Sequence, residues 1–155
     1  MKIIFKIFIL VSIICLNNCT GYEPIFNTKN NNFSIIKITT EGQSKINYKI
    51  KNRLSLYQNL NDQKKFYSLE INSESKKTVL SKDSKGDPNL LSKQIVIQLR
   101  VLENEELIEK KSFLKNFSYK NNADKFNLKQ YEKNIEDNLI NDIVEEIVTY
   151  LQSLK

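Results

Sequence analysis

The feature that most constrains this chain is an apolar stripe at helical spacing near its C-terminus. Ile135, Leu139, Ile143, Ile147, Tyr150, Leu151 and Leu154 share one face, and Ile140 and Val144 widen it. A stripe this wide is not the narrow a/d seam of a two-helix coiled coil. It calls for a broad apolar surface, and a helix of about 27 residues, about 40 Å long at ~1.5 Å per residue, crosses a whole sheet. Glu136, Asp137, Asp142, Glu145 and Glu146 are expected on the solvent side. Phe126 and Tyr131 bracket Asn127 and Gln130 in the spacing of a hydrophobic staple around an N-cap, which puts the helix start near Asn127.

The sheet for that helix is written upstream. Phe33 to Thr39 is β-branched and apolar, a first strand, and Gly42 breaks the chain after it. From Ser44, a plausible N-cap, Ile46, Ile50, Leu54 and Tyr57 recur at helical spacing, giving a first helix that ends near Leu60-Asn61-Asp62. Three period-two stretches follow: 65–80 through Tyr67, Leu69 and Ile71; 91–103 through Ile95, Ile97, Leu99 and Val101; and 107–120 through Phe113, Phe117 and Tyr119. They read as a meander, with a polar tip at 81–89 and a short turn at 103–106. The order strand, helix, three strands, long helix predicts an α+β fold: a two-layer sandwich, two helices packed on one face of a mixed, roughly four-stranded β-sheet. The first helix is a crossover, expected right-handed, that makes strands one and two parallel. The uncovered face of the sheet then needs water or a partner, and function is expected there.

Composition removes whole classes of chemistry. There is no histidine in the 155 residues, so neither a Ser/His/Asp nor a Cys/His nucleophilic site can be built, and zinc loses its commonest ligand. Three glycines, Gly21, Gly42 and Gly86, cannot write a GxGxxG or a P-loop. Carboxylate-only chemistry is left without positive support. No enzyme and no cofactor are expected. The formal charge is +6, from 24 basic and 18 acidic residues, and removal of Lys2 and Lys6 with an N-terminal signal leaves 22 against 18, or +4. Only Arg53 and Arg100 are arginines and Ala123 is the sole alanine, a pattern of nucleotide-composition bias. No Arg/Lys stripe with interleaved aromatics is present, so no nucleic-acid partner is expected.

The N-terminus has the layout of a secretory signal: Lys2 and Lys6, an apolar run to Ile14, then polar Asn17 and Asn18. The run is too short for a permanent span of about 20 residues. It ends in Leu16-Asn17-Asn18-Cys19, similar to the box cut by lipoprotein signal peptidase, with asparagines where small residues are usual. Cys19 is the expected lipid-anchor residue, and Cys15 fits no such box; a plain signal peptide that ends near a cysteine is the alternative. Both cysteines lie in or beside the signal, so the mature domain has no disulfide. The chain divides into a signal peptide at 1–18, a lipidated N-terminus and linker at 19–32, and one domain at 33–155.

Cys19-Thr20-Gly21-Tyr22-Glu23-Pro24-Ile25-Phe26 resembles the start of the mature LPS-assembly lipoproteins of the LptE family, in their alphaproteobacterial form. The likeness continues through Ile46-Asn47-Tyr48-Lys49-Ile50-Lys51-Asn52-Arg53-Leu54, Phe66-Tyr67-Ser68-Leu69 and the approach from Ser118-Tyr119-Lys120 to Tyr131. It spans essentially the whole mature chain. The resemblance implies a non-enzymatic lipoprotein on the periplasmic face of the outer membrane. Its partner there would be an LptD-like β-barrel, in which it sits as plug and assembly partner while lipopolysaccharide passes to the outer leaflet. Thr20, rather than the Asp that commonly retains lipoproteins in the inner membrane, agrees with outer-membrane sorting.

No motif carries the family's ligand contacts over. By chemistry alone, Lys82 and Lys85 on the hairpin tip, with Lys76, Lys77 and Lys93 nearby, are candidates to pair with phosphates of lipopolysaccharide or a related glycolipid. A solvated loop, diluted by Asp83 and Asp87, is the plainer reading. Two rivals stand beside the family reading: another periplasm-facing envelope lipoprotein, such as an auxiliary subunit of a lipid transporter or a barrel-assembly pilot, and an enzyme working with an acidic pair.

Overall fold

The computed structural model describes residues 32–61 and 63–154; the signal segment, the linker to residue 31 and Cys19 lie outside the described residues. Strand β1 (Phe33–Gly42) leads into helix α1 (Ser44–Leu54) and one turn of 3₁₀ helix (Ser55–Tyr57). Strands β2 (Lys65–Lys82), β3 (Pro88–Glu103) and β4 (Glu106–Lys120) follow, and helix α2 (Lys125–Ser153) closes the domain. The sheet order is β1-β2-β3-β4, with β1 parallel to β2 and both other pairs antiparallel, the mixed four-stranded sheet expected from the element order.

Alternation decides which face is covered. Tyr67, Leu69 and Ile71 of β2, Ile95, Ile97, Leu99 and Val101 of β3, and Phe113 and Tyr119 of β4 are buried on one face. Ile46, Ile50 and Leu54 of α1 and Ile135, Leu139, Ile140, Ile143, Val144, Ile147 and Leu151 of α2 complete the same core. Helix α2, about 44 Å long at ~1.5 Å per residue, runs the length of the sheet. Tyr131 meets Tyr119 edge to face at 6.0 Å near one end, and Tyr150 meets Phe113 at 6.1 Å towards the other.

Local chemistry corrects several sequence expectations. Ser44 makes no capping bond: the N-cap position is Gln43, and α1 stops at Leu54 rather than near Leu60. The chain leaves the helix to run along β1, where Gln58 bridges Ile35, Asn59 N donates to Ile35 O, and Leu60 N donates to Ser34 Oγ at 2.9 Å. Those bonds compete successfully with another helical turn. Helix α2 begins before Asn127, because the carboxylate of Asp124 accepts from Phe126 N at 2.9 Å and Asn127 N at 3.1 Å. Phe126 is 80% exposed, so no hydrophobic staple forms, and Tyr131 packs on Tyr119 instead. Phe117 does share a face with Phe113 and Tyr119, as expected, but is half exposed where β4 runs along the sheet edge.

The turn from β1 into α1 is tightly specified. Gly42 has φ +89, and a Cβ there would collide with the Ser73 carbonyl of β2. Beside it, buried Asn47 donates from Nδ2 to Glu41 O at 2.9 Å and accepts from Ser73 Oγ at 2.7 Å. The edge at β4 is guarded by lysines: Lys115 pairs with Glu146, and the Lys111 ammonium stands 4.1 Å from the Tyr150 ring centroid.

Candidate functional site

Strand β1 ends at Gly42 opposite Ser73, and β2, β3 and β4 continue past it as a three-stranded arm. From Ser73 to Lys82 that arm extends roughly 30 Å at ~3.3 Å per residue. Its turn is held by Asp83, whose Oδ1 accepts from Lys85 N and Asp87 N, both at 2.9 Å, while Gly86 supplies φ +88. The chain end of β4 is fastened to the same arm: Asn121 Nδ2 donates to Pro88 O at 2.7 Å.

Lys82 and Lys85 are exposed on this tip and make no ion pair among the described residues. Lys76 is likewise exposed. The other two lysines grouped with them from sequence do different work. Lys77 pairs with Glu132 at 2.5 Å and Lys93 pairs with Glu136 at 2.5 Å, so both fasten the arm to α2.

Glu136 is the residue the sequence placed wrongly. It was expected outside but is 5% exposed, because three lysines from two elements converge on it. Lys45 (3.1 Å) and Lys49 (2.8 Å) of α1 reach Oε1, and Lys93 of β3 reaches Oε2. Burial pushes its carboxyl up, but the hydrogen bonds from Lys49, Lys93 and Lys45 outweigh burial and bring the pKa down to about 2. Burial disfavours the charge on Lys49, yet bonds to Asp137 and Glu136 hold its pKa above the ordinary value. Glu132 is also held below the usual carboxylate range: burial opposes its charge, and the bonds from Lys77 and Tyr119 prevail. A concavity of about 430 Å³ opens over this cluster, lined by Lys45, Lys93, Lys129, Lys133 and Phe126. The i, i+4 spacing of Lys129 and Lys133 was the one sequence sign of it.

The sheet face away from the helices is polar at its middle. Thr39, Glu70, Arg100 and Lys110 share one row across the four strands, and Glu41, Asn72, Gln98 and Ser112 share the next. Arg100 reaches Glu70 at 2.9 Å, and these rows line a concavity of about 720 Å³. Such a face is stable against water without a cover.

Three solved structures share this architecture. Rare lipoprotein B from Shewanella oneidensis aligns over 76% of this chain and 94% of its own, with TM-score 0.57 and 10% identity. Uncharacterized lipoprotein B from Nitrosomonas europaea aligns over 86% and 91%, with TM-score 0.57 and 16% identity. A minor lipoprotein from Acinetobacter baumannii aligns over 76% and 90%, with TM-score 0.55 and 17% identity. What these chains share is the fold. No family model and no curated protein matches the sequence.

Within that fold, the chemistry on offer is electrostatic and hydrogen-bonding. The described residues hold no group of His, Cys, Asp and Glu that would ligate a metal, and no helix among them is long and apolar enough to cross a membrane. Exposed cations on the arm and the adjoining end of α2 include Lys76, Lys82, Lys85, Lys129 and Lys133. The chain enters the domain at the opposite end, where Asn32 Nδ2 donates to Gln152 O at 3.3 Å and Lys65 Nζ donates to Leu154 O.

Proposed function

We propose that this chain is an outer-membrane lipoprotein, anchored through Cys19 on the periplasmic face. It acts with an LptD-like β-barrel as plug and assembly partner in moving lipopolysaccharide to the outer leaflet. The observation that carries the reading is the two-layer fold shared with three bacterial lipoproteins, behind a Leu16-Asn17-Asn18-Cys19 box. The role is non-enzymatic: it needs a shape to fill a lumen and cations to meet phosphates, and the domain offers a polar sheet face and a lysine-bearing arm.

The anchor is physically reasonable because stable attachment takes more than one acyl chain, and mature bacterial lipoproteins carry several. Lys82 and Lys85 are the residues assigned to phosphate contact, since their ammonium groups make no ion pair among the described residues and stand on a turn held by Asp83.

The test is recovery of the tagged chain from detergent-solubilised membranes. Co-purification of a large outer-membrane β-barrel, with a triacylated Cys19 as the mature N-terminus by mass spectrometry, is the expected result. Recovery of a lipid-transporter subunit or a different barrel instead of an LptD-like one would assign the chain to another envelope lipoprotein class.

A further inference from the structure

We infer that the chain-entry end of the domain seats on the phospholipid surface itself, through an apolar rim formed by Phe66, Leu102, Leu107, Ile108, Ile36 and Leu56. The inference rests on the Cys19 anchor proposed above.

Register brings these residues to one end. On the uncovered face, Leu102 of β3 is paired with Leu107 of β4 and with Ser68 of β2, which puts Phe66, two residues before Ser68, on the same face and diagonal to Leu102. Ile108 is the extra residue where the β3–β4 register shifts, and Ile36 is the extra residue in the β1–β2 register. Leu56 lies in the 3₁₀ turn just before Gln58 bridges Ile35, beside the start of β1. Ile36 (56%), Leu56 (55%), Phe66 (45%), Leu107 (40%) and Ile108 (39%) are all well exposed. Single exposed apolar residues are ordinary, but a set of them at one end of a sheet is a contact surface.

Where the chain comes from identifies what covers the rim. Phe33 opens β1 at this end, and Cys19 precedes it by a short spacer. For a chain of that length the random-coil end-to-end distance is about 20 Å. A lipidated Cys19 therefore holds this end, and not the arm, next to the bilayer. Tethering raises the effective concentration of the surface, so a patch too small to bind membranes alone becomes sufficient once the anchor is in place. Lys37, Lys64 and Lys65 lie at the same end against Glu103, Glu105 and Glu106 of the β3–β4 turn. That balance fits a mainly zwitterionic headgroup layer better than a strongly anionic one.

The chain contains no tryptophan, so single Trp substitutions are unique reporters. Full-length lipidated Phe66→Trp, Leu107→Trp and, on the arm, Val79→Trp would be reconstituted into phosphatidylethanolamine vesicles doped with phosphatidylcholine brominated on its acyl chains. Circular dichroism confirms that each variant is folded. The expected result is emission from Phe66→Trp and Leu107→Trp that is blue-shifted and quenched several-fold more than that from Val79→Trp. Lipidated protein with unquenched Trp at both rim positions overturns the proposal and leaves the anchor standing. Equal quenching at all three positions overturns it as well. Blue-shifted but unquenched rim Trp, in protein that retains a bound barrel, assigns the rim to that protein and overturns the lipid contact. Absence of lipid on Cys19 by mass spectrometry removes the anchor and the proposal together.

Discussion

Lys93 of β3 and Glu136 of α2 meet at 2.5 Å across the junction of the sheet and the long helix, inside a cluster that also draws in Lys45 and Lys49. A carboxylate this buried is tolerated because each oxygen has a cationic donor. Removing it leaves Lys45 and Lys93 without their carboxylate and Lys49 with Asp137 alone. Glu136→Ala is therefore expected to destabilise the domain by about 3 kcal/mol, and Lys93→Ala by less because two lysines remain on Glu136. Urea midpoints at neutral pH check this; an unchanged midpoint for Glu136→Ala would show that the cluster contributes nothing.

The same carboxylate sets the acid limb of stability. Its folded pKa, about 2, lies below the unfolded value of about 4.3. A depressed pKa contributes stability that is fully present above the unfolded pKa and is lost as pH falls through the folded one. Glu132 adds in the same direction. Stability is expected to decline between about pH 5 and about pH 2, and Glu136→Gln should flatten that slope while lowering the plateau at neutral pH. A titration of the urea midpoint against pH, with equal slopes for both proteins, would count against the assignment.

These residues mark the boundary of what the sequence makes legible. Period-two spacing found β2, β3 and β4 and helical spacing found both helices, because the buried stripes of Ile95 to Val101 and Ile135 to Leu151 are long and regular, while a β-branched run found β1 and the crossover rule made the sheet mixed. Glu136 was invisible because nothing local distinguishes it from Asp137; its burial depends on Lys45, Lys49 and Lys93, which are distant in sequence. The caps failed for a similar reason. The expected cap was Asn127, and backbone geometry places it at the Asp124 carboxylate three residues earlier. Of the five lysines grouped around the hairpin, spacing could not separate Lys77 and Lys93, bound to α2, from Lys76, Lys82 and Lys85.

Gly42 gives a backbone test. Its φ of +89 is in the left-handed region, and the Ser73 carbonyl occupies the space a Cβ would need. Gly42→Ala is expected to cost more than 2 kcal/mol, since the backbone strain and the clash add. Ser73→Ala, which removes only the hydroxyl bonded to Asn47 Oδ1, should cost about 1 kcal/mol. Thermal unfolding orders the two, and an equal or larger effect of Ser73→Ala would contradict the steric account.

The arm can be tested without disturbing the core. Lys82 and Lys85 are exposed, unpaired among the described residues and remote from the buried cluster, so Lys82→Glu/Lys85→Glu should leave the unfolding midpoint within about 0.5 kcal/mol of the parent. If the tip meets phosphates, the double change removes two attractions and adds two repulsions. Affinity for lipopolysaccharide should fall about tenfold or more at low salt, with a smaller difference at high salt as screening shortens the reach of the charges. Lys77→Gln serves as the contrast: it breaks the pair with Glu132, lowers stability slightly and leaves lipopolysaccharide affinity near the parent value. Binding that survives the Lys82/Lys85 change intact would remove the tip from the ligand path and turn attention to the lysines over the 430 Å³ concavity beside Glu136.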